Sequence, residues 1–348
     1  MNHIKKLPAE WEKQSFLQLT FPHPESDWNY LLNEVSSCFA EIIETAARFQ
    51  NVLVVCDDIK RVQSYFKTTQ NVYFTDIESN DTWTRDHGGI TVLENGEAVI
   101  YDYVFNGWGN KFDAQLDNQI TKQLFEKGVF KNCKLITSEF ILEGGSVESD
   151  GKGTILTTTT CLLSENRNRN KSKSDIEKVF KTDFGCDRIL WLENGYLAGD
   201  DTDSHIDTLA RFCDENTIAY VGCDNQNDEH FEALQKMKAE LSNFKNFNGL
   251  PYKLVELPFP DACFDNEGNR LPATYANFTI INDAVLVPVY GLPQDKPALE
   301  ILQGCFPGKE IIGINCRVLI EQHGSLHCVT MQFPHQVKLN KEILTKNE

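Results

Sequence analysis

The sequence predicts an α/β protein built from five small sheet-plus-helix modules whose loops converge at one end. Two observations carry that prediction. An amphipathic helix, a short β-branched strand and a polar stretch rich in Asp, Gly or His follow one another five times along the 348 residues. In addition, Asn95-Gly96, Asp150-Gly151 and Asn194-Gly195 lie between apolar segments, the dipeptide chemistry of tight hairpin turns with positive φ at both central positions. Hairpins argue against a doubly wound parallel sheet, whose crossovers are helical. The five units share negligible sequence identity, so the repeat is one of architecture only.

In chain order, the first helix is predicted over residues 27–49, with Leu31, Val35, Phe39, Ile42, Ile43 and Ala46 on one face at 3- and 4-residue spacing. The strand Val52-Leu53-Val54-Val55 follows, and the chain reaches Asp81-Thr82-Trp83-Thr84-Arg85-Asp86. A second helix over 114–128 leads through Cys133-Lys134-Leu135-Ile136 to Glu143-Gly144-Gly145-Ser146. A shorter third helix, 174–181, leads through Arg188-Ile189-Leu190-Trp191 to the acidic run Asp200-Asp201-Thr202-Asp203-Ser204-His205-Ile206-Asp207. The fourth, 228–244, leads to Lys253-Leu254-Val255-Glu256 and the 265–275 loop. The fifth, 297–306, leads to Glu310-Ile311-Ile312-Gly313 and then to Gly324-Ser325-Leu326-His327-Cys328.

Composition narrows the function classes. Fifty-one acidic against 33 basic side chains give a net charge of −18, a poor surface for nucleic acid, which needs a basic face. Such a field concentrates small cations, although solubility alone also explains it. No apolar run approaches the roughly 20 residues of a membrane helix. The first sixteen residues carry Lys5 and Lys6 followed by Pro8, Glu10, Glu12 and Lys13 in place of an apolar stretch, so no signal peptide is expected. Eleven cysteines, odd in number and without a C-x-x-C pair, read as reduced cytoplasmic thiols and neither as a disulfide framework nor as a zinc site. The 224–229 cluster has the charge of a calcium loop but lacks the glycine and the final Glu that such a loop needs. No metal is therefore expected. Length alone leaves open one large domain or two ordinary ones.

Four stretches carry residues suited to chemistry. Cys328 ends a glycine-containing turn just before Val329-Thr330-Met331, a place where a fold can hold a nucleophile at the floor of a pocket. The adjacent His327 is not expected to be its partner, because neighbouring side chains of an extended chain point to opposite faces. His205 and Asp207 share a face only if their segment is extended, and Asp200, Asp201 and Asp203 upstream would raise the imidazole pKa. The plain alternative is an Asp203-Ser204 cap on a helix over 206–212. Trp83 with Asp86 offers a stacking face and a hydrogen-bond acceptor for a flat cation, or else a tryptophan buried under an Arg85–Asp86 pair. Glu143, at a strand end beside two glycines, is placed to orient a histidine or to accept from a substrate, or belongs merely to a turn.

Taken together and in order, these stretches resemble the agmatine deiminase and bacterial peptidyl-arginine deiminase family, a branch of the guanidine-modifying enzymes. The resemblance runs through Trp83-Thr84-Arg85-Asp86, Glu143-Gly144-Gly145-Ser146-Val147-Glu148, Asp150-Gly151-Lys152-Gly153-Thr154, Thr160-Cys161-Leu162-Leu163-Ser164-Glu165-Asn166-Arg167-Asn168, His205-Ile206-Asp207, Tyr275-Ala276-Asn277-Phe278 and Gly324-Ser325-Leu326-His327-Cys328. Each motif is weak alone, and the ordered set is strong. There are departures: Ser146 stands where the family more often has Asn, Asp201-Thr202-Asp203-Ser204 where agmatine-specific members have Glu-Thr-Asn-Gly or a close variant, and Arg169 where a Pro is usual.

The resemblance implies a five-bladed α/β propeller (the pentein fold) of pseudo-fivefold ββαβ modules around a central site, one deiminase domain over residues 1–348. It implies a Cys328 nucleophile, His205 as acid and then base, Asp86 and Asp207 as clamps on the guanidinium, and Glu143 behind His205. Trp83 and Asp201 complete the expected substrate contacts. No metal or organic cofactor is implied. The expected substrate is agmatine, a small cationic guanidine. Free or peptidyl arginine is the alternative, with Arg85, Arg270 and Arg317 as candidate partners for a carboxylate. A non-catalytic propeller that only binds is the remote third reading. The setting is expected to be cytoplasmic, with neither nucleic acid nor membrane as partner. No pattern sets the oligomeric state, and a homodimer is kept as an expectation.

Overall fold

Five sheets follow one another along the chain, each an antiparallel pair extended by a helical crossover to a parallel third strand. The computed structural model describes residues 4–346. In the first blade Gln14–Thr20 runs parallel to Asn51–Cys56 and that strand parallel to Val72–Asp76. Helix Leu32–Ala47 makes the crossover, burying Val35, Phe39, Ile42, Ile43 and Ala46. The second blade pairs Ile90–Glu94 with Glu97–Val104 and adds Cys133–Ile141 in parallel. The third joins Glu148–Ser149, Thr154–Thr158 and Arg188–Leu192. The fourth joins Ala210–Asp214, Thr217–Val221 and Lys253–Leu257, and the fifth Thr279–Ile280, Ala284–Val289 and Glu310–Asn315.

Strand Met331–Pro334 returns to the first blade and pairs antiparallel with Gln14–Thr20. A late strand and an early one thus share one sheet, and the ring of blades closes. Phe16 and Phe333 stack across that seam with ring centroids 4.5 Å apart, a contact worth about 1 kcal/mol beyond its area.

The crossover helices form for legible reasons. Lys173–Phe184 starts at a capping box, Ser172 with Asp175, stops at Gly185 in the left-handed region, and buries Ile176, Phe180 and Phe184 four residues apart. Phe231–Asn243 buries Leu234, Met237 and Leu241, and Asp295–Cys305 buries Ala298 and Leu302.

Some boundaries differ from the sequence prediction. The second helix is only Ile120–Glu126 after a 3-10 turn at Asp117–Gln119. Asp117 is buried there, and its carboxylate accepts the Asn80 and Asp81 backbone N–H groups at 2.7 and 3.2 Å. Asn95-Gly96 is a tight hairpin, with φ of 52° and 88°. Asp150-Gly151 belongs to a wider turn in which the Asp150 carboxylate accepts from Lys152 and Thr154 N–H. Asn194-Gly195 joins no hairpin: the strand before it pairs in parallel, and Glu240 binds the Asn194 side chain instead. The dipeptide marks a turn, and not what the turn connects. The hairpins of the fourth and fifth blades turn without Asn-Gly or Asp-Gly, through residues 214–217 and 280–284.

The placement that matters for function is repeated in every blade. Just before the antiparallel strand that opens each blade, the chain makes a short polar turn. These turns carry Asp86 before Ile90, Glu143 before Glu148, His205 and Asp207 before Ala210, Asn277 before Thr279, and Cys328 before Met331. The pseudo-fivefold arrangement brings all five turns to the axis.

Candidate active site

Each of these turns is fixed by local hydrogen bonds before it contributes a side chain. Thr84–His87 is a single helical turn, pinned to the first blade where Thr20 N–H donates to Thr84 Oγ1 at 2.8 Å. Arg85 N–H donates to the Cys328 carbonyl at 3.0 Å, which ties this turn to the nucleophile turn. Gly144–Ser146 is a 3-10 turn closed by Ser146 Oγ–H donating to the Glu143 carbonyl at 2.6 Å, so the Ser146 departure keeps the turn.

The segment before His205 is shaped by Asp200, whose carboxylate accepts from Thr202 N–H, Thr202 Oγ1–H and Ser204 N–H at 2.6–3.1 Å. Asp203 and Ser204 both lie in the left-handed region, at φ 64° and 66°. That geometry costs a non-glycine residue about 1–3 kcal/mol. The predicted cap on a 206–212 helix is corrected: only the 3-10 turn Ile206–Thr208 forms, and a strand starts at Ala210.

The predicted catalytic residues meet. His205 Nδ1 lies 3.6 Å from Asp86 Oδ1 and its Nε2 3.9 Å from Glu143 Oε2. Cys328 Sγ lies 3.9 Å from Asp207 Oδ2 and donates to Asn277 Oδ1 at 3.4 Å. All are at most 3% exposed. Neither ring nitrogen of His205 has a hydrogen-bond partner among the described residues, nor does Asp207 Oδ1.

Residues 326–329 form a turn and not the extended segment assumed, and His327 and Cys328 both approach Asp207 Oδ2. His327 Nδ1 is 2.7 Å from Asp207 Oδ2 and its Nε2 2.8 Å from Glu10 Oε2.

Electrostatics set the resting state. Burial opposes a charge on His205, but Asp86, Cys161 and Glu143 together outweigh it and raise the imidazole well above its usual value. Burial, with Asp207 and Asp86 added, pushes the Cys328 thiol well above 9. These surroundings favour the protonated thiol at Cys328. Burial also pushes Asp86 up, whereas the His327 hydrogen bond holds Asp207 low against its burial.

Several contributors carried no assigned role in the sequence reading. Trp108 donates Nε1–H to Asp86 Oδ2 at 2.9 Å, and Gly145 N–H donates to Asp86 Oδ1 at 3.0 Å. Trp108 itself has φ 55° between two positive-φ glycines, a signal that Gly107-Trp108-Gly109 offered. Arg167 donates Nε–H to both oxygens of Glu143, at 2.8 and 2.9 Å, and Nη1–H to Asp203 at 2.5 Å. Glu143 is thus held chiefly by Arg167 while it faces His205. Asn277 fastens two turns at once, accepting His327 N–H at 2.9 Å and donating to the Asp207 carbonyl at 3.2 Å.

Two buried trios, Glu143–Cys161–His205 and Glu10–Glu148–His327, bring metal-capable atoms within 4.8 Å of one another. In both, an arginine already occupies the carboxylates: Arg167 in the first, Arg211 in the second.

Above Cys328 opens a pocket of about 440 Å³. Its lining includes Asp27, Asp81, Asp86 and Asp201, with Trp83, Trp108 and Phe112, and no Lys or Arg among the described lining residues. Trp83 lies over Gly324, where a Cβ would meet its ring at 2.1 Å. Asp201 sits at the rim, 3.8 Å from His323. The three arginines considered as clamps are elsewhere: Arg85 is buried below the site, Arg270 pairs with Asp228 and Glu229, and Arg317 with Glu321.

Comparison with known proteins identifies the family. The chain is 48% identical to a Porphyromonas gingivalis structure provisionally named arginine deiminase, covering 96% of this chain and 100% of that one at a TM-score of 0.93. It is 43% identical to a C. jejuni agmatine deiminase Cys-to-Ser variant with substrate bound, covering 95% and 96% at a TM-score of 0.90. A Listeria monocytogenes protein provisionally named agmatine deiminase 1 is 29% identical over 353 residues, 94% of this chain and 96% of its own. The profile of the Porphyromonas-type peptidyl-arginine deiminases matches residues 6–334, and the chain belongs to that family.

Proposed function

We propose that the protein is an agmatine deiminase, a single-domain hydrolase that converts agmatine and water to N-carbamoylputrescine and ammonia. The observation that carries the substrate is the pocket lining. Agmatine is a dication without a carboxylate, and the described lining offers four aspartates and three large aromatics with no Lys or Arg. The guanidinium end enters between Asp86 and Asp207, whose paired acceptors fix its plane above Cys328. The distal ammonium is left among Asp27, Asp81 and Asp201.

A guanidinium carbon is a weak electrophile because its charge is spread over three nitrogens. Orientation and a strong nucleophile are what the site adds. The entering cation offsets the two aspartates that oppose ionisation of Cys328, and the thiol gives its proton to solvent. The thiolate attacks the guanidinium carbon to form a tetrahedral adduct. His205, protonated at rest, donates its proton to the departing nitrogen as the C–N bond breaks and ammonia leaves. Neutral His205 then takes a proton from water, whose oxygen attacks the amidino-thioester carbon. The C–S bond breaks, freeing the ureido product and Cys328. Glu143, anchored by Arg167, holds the face of His205 away from Asp86.

A second reading, deimination of free or peptidyl arginine, has one observation in its favour: His323 lines the same pocket and is placed to meet a carboxylate. The eleven free cysteines support a cytoplasmic setting. Among the described residues no helix is long and apolar enough to cross a membrane. Parallel incubation with agmatine, free arginine and a short arginine peptide, following ureido product and ammonia, tests the reading. Turnover of agmatine alone supports it. Turnover of an arginine substrate moves the assignment to the second reading.

A further inference from the structure

The two carboxylate oxygens of Asp207 are held differently. Oδ1 is buried without a hydrogen-bond partner among the described residues, whereas Oδ2 lies 2.7 Å from His327 Nδ1. The far side of that imidazole is equally constrained. Nε2 lies 2.8 Å from Glu10 Oε2 and 3.0 Å from Arg211 Nη2. Arg211 is itself held by Glu10 at 2.6 Å, by the Phe278 carbonyl at 2.6 Å and by Glu148. None of these side chains is more than 8% exposed.

Glu10 comes from the segment that precedes the first blade, and it also accepts Ile280 N–H from the fifth. With Leu7, Pro8, Ala9, Glu12 and Gln14 it lines a second cavity, of about 670 Å³, which Arg85, Glu148 and His327 also line. Cys328 is absent from that lining. His327 therefore bridges the base of the catalytic carboxylate to a charged cluster that belongs to another part of the chain.

We propose that His327 is a positioning residue for deimination: braced by Glu10 and Arg211, it fixes the rotation of the Asp207 carboxylate so that Oδ1 faces the substrate guanidinium. This inference rests on the deiminase reading above. A carboxylate free to rotate about its Cβ–Cγ bond would spend part of its time with both oxygens misaligned, and small misplacements of a positioning group cost about 100-fold in rate. His327 also bears on the charge of Asp207, since its hydrogen bond favours the ionised form against burial. The other charged and titratable groups around that carboxylate are His205, Arg211, Arg85, Asp86 and Cys328. Those facing His327 are Glu10, Arg211, Glu148 and Arg85.

The test compares His327→Ala with His327→Asn, whose amide nitrogen stands close to where Nδ1 stands in the imidazole and keeps a donor to Asp207. Steady-state kinetics over a pH series are read beside thermal unfolding. His327→Ala is expected to lower kcat/KM for agmatine 30- to 100-fold, with a loss in kcat and not only a rise in KM. The acidic limb of its profile is expected to move to higher pH. His327→Asn is expected to recover at least tenfold of the loss and to restore the limb. A purely structural histidine would lower unfolding temperature alike in both variants without that recovery or shift. Should His327→Ala fail to fold, Glu10→Gln replaces it, with a smaller fall in kcat/KM and the same direction of limb shift expected.

Binding gives a readout independent of turnover. By calorimetry in a Cys328→Ala background, adding His327→Ala should weaken agmatine binding tenfold or more, and His327→Asn should restore it. Folded variants with unchanged kcat/KM, unchanged limb and unchanged agmatine binding would overturn the proposal. Failure of the deiminase reading looks different, because the parent Cys328→Ala protein would then bind no agmatine at all. In that event the same pair of variants is compared on whichever arginine substrate the unmodified protein turns over, and an unchanged rate again overturns the role.

Discussion

A methyl group placed on Gly145 would lie 2.6 Å from Nδ1 of His205. The same methyl would stand 2.9 Å from Asp86 Oδ1 and 3.1 Å from Asp207 Oδ2. Gly145 thus occupies the point where the side chains of His205, Asp86 and Asp207 meet, and its own N–H donates to Asp86. The residue is glycine because of close approach, and not because of its backbone angles, since it is not among the positive-φ glycines.

Gly145→Ala is accordingly expected to force His205 and Asp86 apart. The loss should fall on kcat, by about 100-fold or more for a displacement near 1 Å. Overpacking of this kind costs about 1–3 kcal/mol, so the variant should still fold. Turnover measured beside denaturant unfolding checks both parts.

Asp81 lines the pocket, and burial pushes its carboxyl up to about 6. A dication binds the ionised form better. In the free enzyme, therefore, kcat/KM for agmatine should fall as pH drops through about 6, approaching tenfold per unit. Burial raises Asp86 as well. Asp81→Asn should lower kcat/KM at neutral pH and remove part of the limb. The stability sign is opposite to that of an ion-paired carboxylate: the native carboxyl keeps its proton to higher pH than in the unfolded chain. Its contribution to stability is present below about 4 and is lost as pH rises through about 6.

Arg167 and Glu143 form a pair whose side chains are both fully buried. Arg167→Met leaves Glu143 buried beside His205 without its charge partner, which should destabilise the fold by about 3–5 kcal/mol. Adding Glu143→Gln removes the stranded charge and should recover a good part of that loss without restoring activity. Equilibrium unfolding of the single and double variants checks the difference.

How much of this was legible beforehand follows from what periodicity and motifs encode. The five helix-strand units were readable because each helix has one apolar face, as with Ile176, Phe180 and Phe184. Cys328, His205, Asp207, Asp86 and Glu143 stood out because their turns carry polar residues where strands begin. Asn194-Gly195 misled, because a turn dipeptide does not say whether the next strand folds back or crosses over. The 114–128 helix was drawn too long, since Asp117 in its interior faces the buried N–H groups of Asn80 and Asp81 and not water. Arg167, Trp108 and Glu10 went unassigned for a common reason. Each reaches its partner across blades or over 22 or more residues of sequence, and local spacing cannot show that. Asp203 and Ser204 form a left-handed turn braced by Asp200 and Arg167.

The central claim is that Cys328 attacks a guanidinium carbon. The most direct measurement is mass spectrometry of the protein quenched with acid during turnover of agmatine, followed by peptide mapping. The account predicts a fraction of molecules heavier by agmatine less ammonia, with the added mass on the peptide that contains Cys328, and neither adduct nor turnover from Cys328→Ala. Appreciable turnover by Cys328→Ala, or an adduct that maps to another residue, would contradict it.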